Sequence, residues 1–392
     1  MILAGGRGTR MRPLTDDKPK PMIEFHGRPF LEYMVEMLRE QGFERVLLLL
    51  GYLPEVIQRH FGDGSAFGVE MDYSISSPDD LTVSRIQLVK DRLDESFLLL
   101  YCDNYWPLQM DRMWRRFRDL DVPAMVTVYS NKDGYRAGKD SMLVDAEGYV
   151  RAFDKTGTVP GVRGVEISYA ILTRPVLDLL PRQDDLLELA LYPQLAARKE
   201  LGAFVSDHRY YSVGSIERLP TTERFLARRP TVILDRDGTL NRRPPRAQYV
   251  TRPEEFEWLP GSLEALGLLR EHGYRVAVVS NQAGIGRGAM TEADLAAIHE
   301  RMRGEAGGSI GPIYHCPHDW DEGCECRKPA PGMLFRAQRE LDLDLTRTLF
   351  VGDDERDGLA AEAAGCPFAM VDSDRTLLDV VRELVEEWVA AA

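Results

Sequence analysis

The sequence predicts an α/β protein with two domains. Apolar segments typical of buried strands alternate along the chain with segments of helical periodicity, which favours largely parallel sheets covered by helices. The 392 residues exceed what one compact domain usually holds. The pattern also restarts near position 230, so we expect one domain over residues 1–229 and another over residues 230–392.

The composition is that of a folded globular protein, with 44% hydrophobic and 29% charged residues. No apolar run approaches the roughly 18 residues of a membrane-spanning helix, and we expect no targeting segment and a cytoplasmic location. The net charge of −14 argues against general binding to nucleic acid or membrane surfaces. This net charge is compatible with small phosphorylated ligands, because a few basic residues at a site are enough to bind them. The sequence does not decide the oligomeric state, and a homo-oligomer is among the states that it allows.

In the N-terminal domain, the first predicted strand, Met1–Leu3, leads into a glycine-rich loop. This strand is short for the edge or the centre of a sheet, which leaves open whether the natural start lies upstream of Met1. Apolar residues recur at helical spacing over 30–38, and Gly42 fits the end of that helix. Arg45–Leu50 and Phe97–Tyr101 are predicted to be buried strands.

In the C-terminal domain, strands and helices are predicted to alternate around a parallel sheet. Thr291 and Asp294 form a capping pattern that begins one of the helices. The predicted elements are Thr231–Leu234, Ser262–His272, Arg275–Val279, the helix that begins at Thr291, Thr348–Val351 and a C-terminal helix rich in Leu, Val and Glu.

Two carboxylates, Asp235 and Asp237, directly follow the strand Thr231–Leu234. At such a position one carboxylate can attack phosphorus while the other protonates the leaving oxygen. The carboxyl ends of neighbouring parallel strands share one crevice. A phosphate bound there would also meet a hydroxyl, an ammonium and a carboxylate able to hold Mg²⁺, supplied by Ser280, Lys328 and Asp353.

This order of motifs resembles the haloacid dehalogenase superfamily of phosphohydrolases over essentially the whole C-terminal domain. The resemblance implies that Asp235 is the nucleophile that forms an aspartyl-phosphate and that Asp237 is the general acid and base. It also implies that Mg²⁺ is held by Asp235, the backbone carbonyl of Asp237 and Asp353. Ser280 and Lys328 would then hold the phosphoryl group.

A second motif places three cysteines and one histidine in two tight pairs, Cys316 with His318 and Cys324 with Cys326. Three thiolates and one imidazole are the ligand set of a closed tetrahedral zinc site, and the polar loop between the pairs contains no core residues. We therefore expect a structural Zn²⁺, because the protein fills all four positions. His315 is left unassigned.

The zinc loop runs directly into Arg327-Lys328-Pro329, and together with residues 280–288 it is similar to the heptose bisphosphate 7-phosphatases. The histidinol-phosphate phosphatases are relatives that share the zinc loop. The resemblance to the heptose enzymes implies that Arg327 contacts the sugar or its second phosphate, and that Asn281 and Arg287 also bind substrate. Asp354 stands where the heptose enzymes often carry a basic residue, which leaves the preferred anomer open.

The glycine-rich loop at the N-terminus can bring backbone N–H groups close to phosphate. With the following Lys18–Met22 it resembles the sugar-1-phosphate nucleotidyltransferases. The resemblance implies that Arg10 and Lys20 stabilise the triphosphate and the attacking sugar phosphate, that Asp103 binds Mg²⁺ and that Lys155 contacts sugar phosphate. The loop residues expected to bind substrate are Gly5, Gly6, Gly8 and Thr9.

Three segments of the N-terminal domain depart from that family. Residues 77–86 lack the usual base-reading loop, and residues 167–169 replace paired glycines beside the sugar. Ser212 stands where a second metal-binding aspartate is usual. The domain is therefore either a working transferase, with the nucleotide base open, or a module that binds a nucleotide sugar without turnover.

The two halves together predict a bifunctional enzyme whose ligands are sugar phosphates and nucleoside triphosphates. The C-terminal domain would remove the 7-phosphate of D-glycero-D-manno-heptose 1,7-bisphosphate, and the N-terminal domain would attach a nucleotidyl group to the resulting sugar 1-phosphate. The alternative is a phosphatase of the histidinol-phosphate type, or one for another sugar phosphate, with a non-catalytic N-terminal domain.

Overall fold

The computed structural model describes residues 1–391, and the side chains of residues 1–386. The chain forms two compact units, Met1–Leu226 and Ala227–Ala392. Both units are α/β, as the sequence predicts. Within the described residues, no helix combines the length and the apolar character needed to cross a membrane.

The N-terminal unit is built on a seven-stranded mixed sheet with the order β12-β8-β11-β6-β1-β4-β5. Strand β11 runs antiparallel to both of its neighbours, and the other pairs of this sheet are parallel. Small two-stranded sheets join β2 to β3, β7 to β13 and β9 to β10. The strands are β1 Ile2–Ala4, β2 Glu24–Phe25, β3 Arg28–Pro29, β4 Arg45–Leu50, β5 Glu70–Ile75, β6 Ser96–Tyr101, β7 Asn104–Tyr105, β8 Ala124–Tyr129, β9 Met142–Val144, β10 Val150–Phe153, β11 Val165–Thr173, β12 Leu201–Ser206 and β13 Tyr211–Ser212.

Helices cover this sheet, and two separate apolar cores lie against its faces. The helices are α1 Phe30–Glu40, α2 Pro54–Phe61, α3 Thr82–Gln87, α4 Met110–Leu120, α5 Leu187–Ala197 and α6 Leu219–Leu226.

The three-residue strand β1 lies inside the sheet, between β4 and β6, so the expectation that it is too short for a central position was wrong. Alternate side chains of a strand point to opposite faces. Ile2 and Ala4 therefore pack in one core while Leu3 packs in the other. Three buried residues, paired with a strand on each side, are therefore enough to keep β1 in the interior of the sheet.

The C-terminal unit is built on a five-stranded parallel sheet with the order β16-β15-β14-β17-β18. The strands are β14 Thr231–Leu234, β15 Arg275–Asn281, β16 Ile313–Cys316, β17 Leu349–Gly352 and β18 Phe368–Met370. The helices are α7 Ser262–Glu271, α8 Glu292–Glu305, α9 Gly332–Leu341, α10 Glu355–Ala364 and α11 Leu377–Ala391.

The central strand β14 is buried along its whole length, and its side chains also divide between two cores. The predicted capping box at the start of α8 is confirmed: Thr291 and Asp294 bond reciprocally to each other's backbone N–H groups. A second capping box, formed by Asp354 and Asp357, begins α10 directly after β17.

Candidate active sites

The carboxyl ends of β14, β15 and β17 meet at one edge of the C-terminal sheet, as predicted. They open into a cavity of about 570 Å³, named here the C-terminal crevice. Asp235 and Asp237 lie at its centre because β14 is the middle strand. Ser280 and Asn281 end the neighbouring strand β15 and also line the cavity.

Lys328 connects two buried carboxylates in this crevice. Its Nζ lies 2.5 Å from Asp235 Oδ1 and 2.6 Å from Asp357 Oδ1. Burial alone would lower the pKa of Lys328, but the two carboxylates outweigh that effect and raise it. Burial raises the pKa of Asp235 above its usual range, against the opposing charge of Lys328. The ammonium is therefore a fixed positive charge beside the predicted nucleophile.

Asp237 lies in a different environment from Asp235. Arg236, which is only 1% exposed, donates to both carboxylate oxygens of Asp237, and Asn241 and Gln282 donate to one each. Burial would raise the pKa of Asp237, but the charge of Arg236 and these hydrogen bonds lower it overall. Gln282 also donates to the hydroxyl of Ser280, at 2.7 Å. The two aspartates of one motif are thus tuned in opposite directions.

Carboxylate oxygens of Asp235, Asp353 and Asp357 lie within 4.8 Å of one another. Oδ1 of Asp353 is buried and accepts no hydrogen bond, and burial raises the pKa of this carboxyl to about 6 despite Arg243 nearby. Gly238, at φ 104°, makes room for the group, because a Cβ there would lie 1.9 Å from Asp353 Oδ2. An acceptor-only cluster with an unsatisfied oxygen fits a hard divalent cation such as Mg²⁺.

Asp357, which is 2% exposed, is a member of this cluster that the sequence analysis missed. It lies in the first turn of α10, which begins two residues after Asp353 and shortly after the end of β17. The available signal was an acidic residue in the first turn of a helix that leaves the catalytic edge of the sheet. The carbonyl of Asp237, expected as a further metal ligand, stays a prediction.

Two arginines compensate the unexpected acidic residue at position 354. Arg243 pairs with both Asp353 and Asp354, and Arg356 lies 2.8 Å from Asp354. The hydrogen bonds from Arg356 are the main cause that lowers the pKa of Asp354. The acidic side chain is therefore held as a carboxylate, and its charge is neutralised where it stands.

The three other predicted substrate-binding residues differ in whether their side chains are available to a ligand in the crevice. Arg327 lines the crevice, and its buried Nη1 has no hydrogen-bond partner. Asn281 also lines the crevice, but its side-chain amide is bonded at both ends to the backbone of Lys328, at 3.0 Å each. Arg287 does not itself line the described cavity and instead lies over the ring of Trp320.

The predicted zinc ligands converge. The Nδ1 atom of His318 lies 3.4 Å from Cys316 Sγ and 3.2 Å from Cys326 Sγ, and Cys324 Sγ lies 3.6 Å from each of those sulfurs. These separations are close to the edges of a tetrahedron whose centre lies ~2.1–2.3 Å from each ligand. The cysteines form no disulfide. His315 points elsewhere and bonds to Glu292. The four side chains therefore fit Zn²⁺.

The glycine-rich loop of the N-terminal unit leaves β1 and ends in a short turn at Thr9–Met11. Gly8 adopts φ 62°, a left-handed conformation that glycine reaches at low cost. Gly6 has open space on its side-chain face, so its backbone can be approached closely. These are the properties expected of a loop that receives phosphate.

Arg85 is a buried residue that the sequence analysis did not single out, and it organises the wall beside this loop. A Cβ on Gly5 would lie 2.1 Å from its guanidinium, which explains the glycine. Arg85 lies in the segment that departs from the familiar base-reading loop, and it ties that segment to β4 and to the glycine loop. Its acceptors are the carbonyls of Gly5, Leu50, Ser77 and Asp80 and the hydroxyl of Ser76.

Lys20 and Asp103 form the charged pair of the N-terminal site, at 2.7 Å. Burial would lower the pKa of Lys20, but Asp103 outweighs that effect and raises it, while Arg10 opposes the rise. Ser212 lies beside this pair on β13: the N–H of the next residue, Val213, donates to the carbonyl of Asp103 at 3.0 Å. The hydroxyl of Ser212 accepts from the Gly214 N–H at 3.0 Å.

Lys155 belongs to a second charged group in this unit. It lies 2.8 Å from Glu188, which also accepts from the hydroxyl of Tyr101. Burial and the charge of Glu188 raise the pKa of Glu166 to about 7. Glu166 accepts from the N–H of Ser168, which takes φ 67° in the irregular part of β11. Glu166 and Glu188 were not among the predicted residues.

Comparison with known proteins agrees with both units. A nucleotidyl transferase family model matches residues 1–153, and a HAD-hydrolase-like model matches residues 325–389. The crystal structure of HddC from Yersinia pseudotuberculosis is 23% identical, covers 56% of this chain and 96% of its own, and has a TM-score of 0.48.

The curated relatives match the C-terminal unit. The D-glycero-beta-D-manno-heptose-1,7-bisphosphate 7-phosphatase of Pseudomonas aeruginosa is 40% identical over 161 residues, which are 40% of this chain and 89% of the relative. The same enzyme of Pseudomonas putida is 43% identical over 152 residues, 37% of this chain and 86% of the relative.

The fold and the crevice thus define a phosphatase of the haloacid dehalogenase class, joined to a nucleotidyltransferase domain. Through its C-terminal unit, the chain belongs to the D-glycero-beta-D-manno-heptose-1,7-bisphosphate 7-phosphatase family.

Proposed function

We propose that the C-terminal domain removes the 7-phosphate from D-glycero-D-manno-heptose 1,7-bisphosphate. The observation that carries this proposal is the buried Asp235–Lys328–Asp357 group at the floor of a crevice lined by arginines. The family membership supports the choice of substrate. We assign this activity to residues 230–392 and place the protein in the cytoplasm.

In the proposed reaction, a carboxylate oxygen of Asp235 attacks phosphorus, and the bond from phosphorus to the sugar oxygen breaks. Asp237 gives its proton to the departing oxygen and then takes one from the water that cleaves the aspartyl-phosphate. Lys328 and Ser280 hold the oxygens of the phosphoryl group. Asp235, Asp353 and Asp357 would hold Mg²⁺, which supplies charge stabilisation for the transferring group.

We propose that residues 1–229 then join a nucleotidyl group to the sugar 1-phosphate. A phosphate oxygen of the sugar would attack the α-phosphorus of a nucleoside triphosphate and release pyrophosphate. Lys20 and Arg10 would neutralise charge, and Asp103 would hold Mg²⁺. The product of one domain is the substrate class of the other, which gives the fusion a chemical purpose.

One observation favours a second candidate function for the N-terminal domain. Ser212 beside Asp103 offers only a neutral oxygen, and that oxygen already accepts a backbone hydrogen bond. A domain with a single acidic metal ligand could bind a nucleotide sugar without turnover, because hard cations favour charged oxygens.

The test is to incubate the full chain with heptose 1,7-bisphosphate and each nucleoside triphosphate, following phosphate, pyrophosphate and sugar nucleotide. The proposal expects phosphate release without nucleotide, and pyrophosphate release only with the correct base. Absence of phosphate release would refute the phosphatase assignment. Nucleotide binding without pyrophosphate release would favour the binding module.

A further inference from the structure

The loop that carries the zinc ligands also contributes one aromatic side chain to the C-terminal crevice. Trp320 lies between the two ligand pairs, and its side chain lines the same cavity as Asp235 and Arg327. It is 42% exposed, which is unusual for a tryptophan in a loop whose other residues are polar. Packing within the protein's own core does not explain why a tryptophan stands at this exposed position.

The guanidinium of Arg287, which does not line the cavity, packs against the Trp320 indole. Its guanidinium carbon lies 4.3 Å from the centre of the Trp320 ring, and its Nε lies 3.6 Å from Asp319 Oδ1. A cation over an aromatic face is attracted by the ring's quadrupole, which is negative on the face, and the stacked geometry also restricts the rotation of the indole. The position of Trp320 is therefore fixed from outside the cavity.

The backbone around Arg287 is bound to the zinc loop. The N–H of Gly286 donates to the carbonyl of Pro317 at 2.9 Å, and a Cβ on Gly286 would lie 2.8 Å from that carbonyl oxygen. On the other side of the turn, a Cβ on Gly284 would lie 2.9 Å from the ring of Tyr249, which lines the crevice. Glycine at both positions lets three segments pack together and preorganises the wall that Trp320 forms.

The crevice is lined by charged and polar side chains, by prolines and small apolar residues, and by two aromatic rings, those of Trp320 and Tyr249. Trp320 is the more exposed of these two rings and is the one that the zinc loop supplies. Lysine and arginine side chains recognise phosphate, whereas the C–H groups of a sugar skeleton pack favourably against an aromatic ring. We propose that Trp320 is a specificity-determining residue that binds the carbon skeleton of the sugar, and that Arg287 positions it. This inference rests on the proposed phosphatase function.

The test compares two substrates on the full zinc-loaded chain. Heptose 1,7-bisphosphate has a carbon skeleton to pack, and acetyl phosphate has almost none. For Trp320→Ala the ratio of kcat/KM between them should fall about tenfold, mainly through KM for the sugar, as expected for the loss of one aromatic contact. Trp320→Phe should recover most of the ratio. Arg287→Met should give an intermediate value.

Trp114 provides a matched control, because it is 38% exposed and lies on α4 in the other unit. Trp114→Ala should keep the wild-type ratio. An unchanged ratio in a Trp320→Ala protein that retains its zinc would overturn the inference, while hydrolysis of the sugar substrate by the wild type would still support the proposed function. If the wild type hydrolyses acetyl phosphate only, the proposed substrate itself is wrong.

Fluorescence gives a second readout that needs no turnover and does not depend on the alanine variant folding. Heptose 1,7-bisphosphate added to Asp235→Asn protein should change the indole emission, and the change should be lost in the Asp235→Asn/Trp320→Phe protein. An identical change in both proteins would contradict contact between the sugar and Trp320.

Discussion

At the scale of single residues, the C-terminal crevice separates the roles of two aspartates by their surroundings. Asp235 is buried against a lysine and two further carboxylates, whereas Asp237 is held by a buried arginine and two amides. Neither difference can be seen in the motif that contains them. In the substrate-free protein Arg236 keeps Asp237 as a carboxylate, whereas burial favours the protonated form of Asp235. The roles of Asp235 as nucleophile and of Asp237 as proton carrier therefore stay predictions that rest on the family resemblance.

Replacing Asp235 with asparagine should abolish phosphate release, by at least about 10³-fold, because an amide cannot form the aspartyl-phosphate. The exposed Asp374 provides the control, and Asp374→Asn should keep the wild-type rate. Phosphate release from heptose 1,7-bisphosphate is the measurement. A rate near that of the wild type for Asp235→Asn would remove this residue from its proposed role.

Glu166 should make the N-terminal unit sensitive to pH. Its pKa is raised from an ordinary value of about 4.5 to about 7, so between these values the folded state binds more protons than the unfolded state. This contribution to stability is fully present below pH 4.5 and is lost as the pH rises through 7. Glu166→Gln should therefore be more stable than the wild type at about pH 8, by ~1–3 kcal/mol, and similar to it near pH 4.

Thermal unfolding of the full chain at several pH values measures this difference. The exposed Glu44 is the control, and Glu44→Gln should follow the wild-type pH profile. A Glu166→Gln protein whose unfolding temperature shifts equally at the acidic and the alkaline end of that range would show that the carboxyl does not titrate as described.

At the scale of elements, the strands that the sequence predicts are present, but others such as β8, β11 and β12 were not predicted, and neither was the order of strands in the sheet. Continuous apolar runs indicate β4, β6 and β14 directly, because buried strands of a largely parallel sheet need apolar side chains on both faces. The central place of β1 depends on pairing with β4 and β6, which lie far along the chain, and no local pattern reports it.

Because a local sequence pattern does not report contacts between distant parts of the chain, some residues of the sites were missed. The predicted zinc ligands could be found because cysteine and histidine at short spacing carry their own chemical signal. Asp357 has only the weak signal of an acidic residue in the first turn of a helix, and Arg85 has none, since acidic and basic residues on helices are most often exposed. Their importance arises from partners that only the fold brings close.

The zinc loop should contain about one zinc per chain, and Cys324→Ser should lose it. Because metal binding contributes to folding in such loops, this variant should also unfold at a lower temperature and hydrolyse the sugar bisphosphate more slowly. Cys366, which is buried but is not one of the four grouped ligands, is the matched position, and Cys366→Ala should keep its zinc. Elemental analysis of untagged protein is the measurement. A wild-type protein without zinc would contradict the assignment.

At the scale of the whole molecule, two chemistries that act in sequence are joined in one chain. Asp235→Asn should stop the formation of a sugar nucleotide from heptose 1,7-bisphosphate but should leave its formation from heptose 1-phosphate intact. The reason is that only the first substrate needs the phosphatase. If the wild type forms the sugar nucleotide from heptose 1-phosphate and Asp235→Asn does not, the N-terminal domain depends on the phosphatase site, against the proposed division of labour.

Asp103→Ala should have the converse effect. Phosphate release should continue, while pyrophosphate release should fall below detection, because Asp103 is the acidic metal ligand proposed for the N-terminal site. Ser212→Asp should lower the Mg²⁺ concentration that gives half-maximal transfer, since it adds a charged oxygen. Transfer at the wild-type rate by Asp103→Ala would contradict this metal assignment.

The charges that line the C-terminal crevice have a consequence for the rate of substrate capture. Six cationic and four acidic side chains face this cavity, in a protein whose net charge is −14. A bisphosphate is therefore repelled at long range and attracted only near the entrance. Because the Debye length shrinks from about 30 Å at 0.01 M salt to about 8 Å at 0.15 M, added salt screens the repulsion first. We expect association to become faster over this range, the reverse of ordinary electrostatic steering.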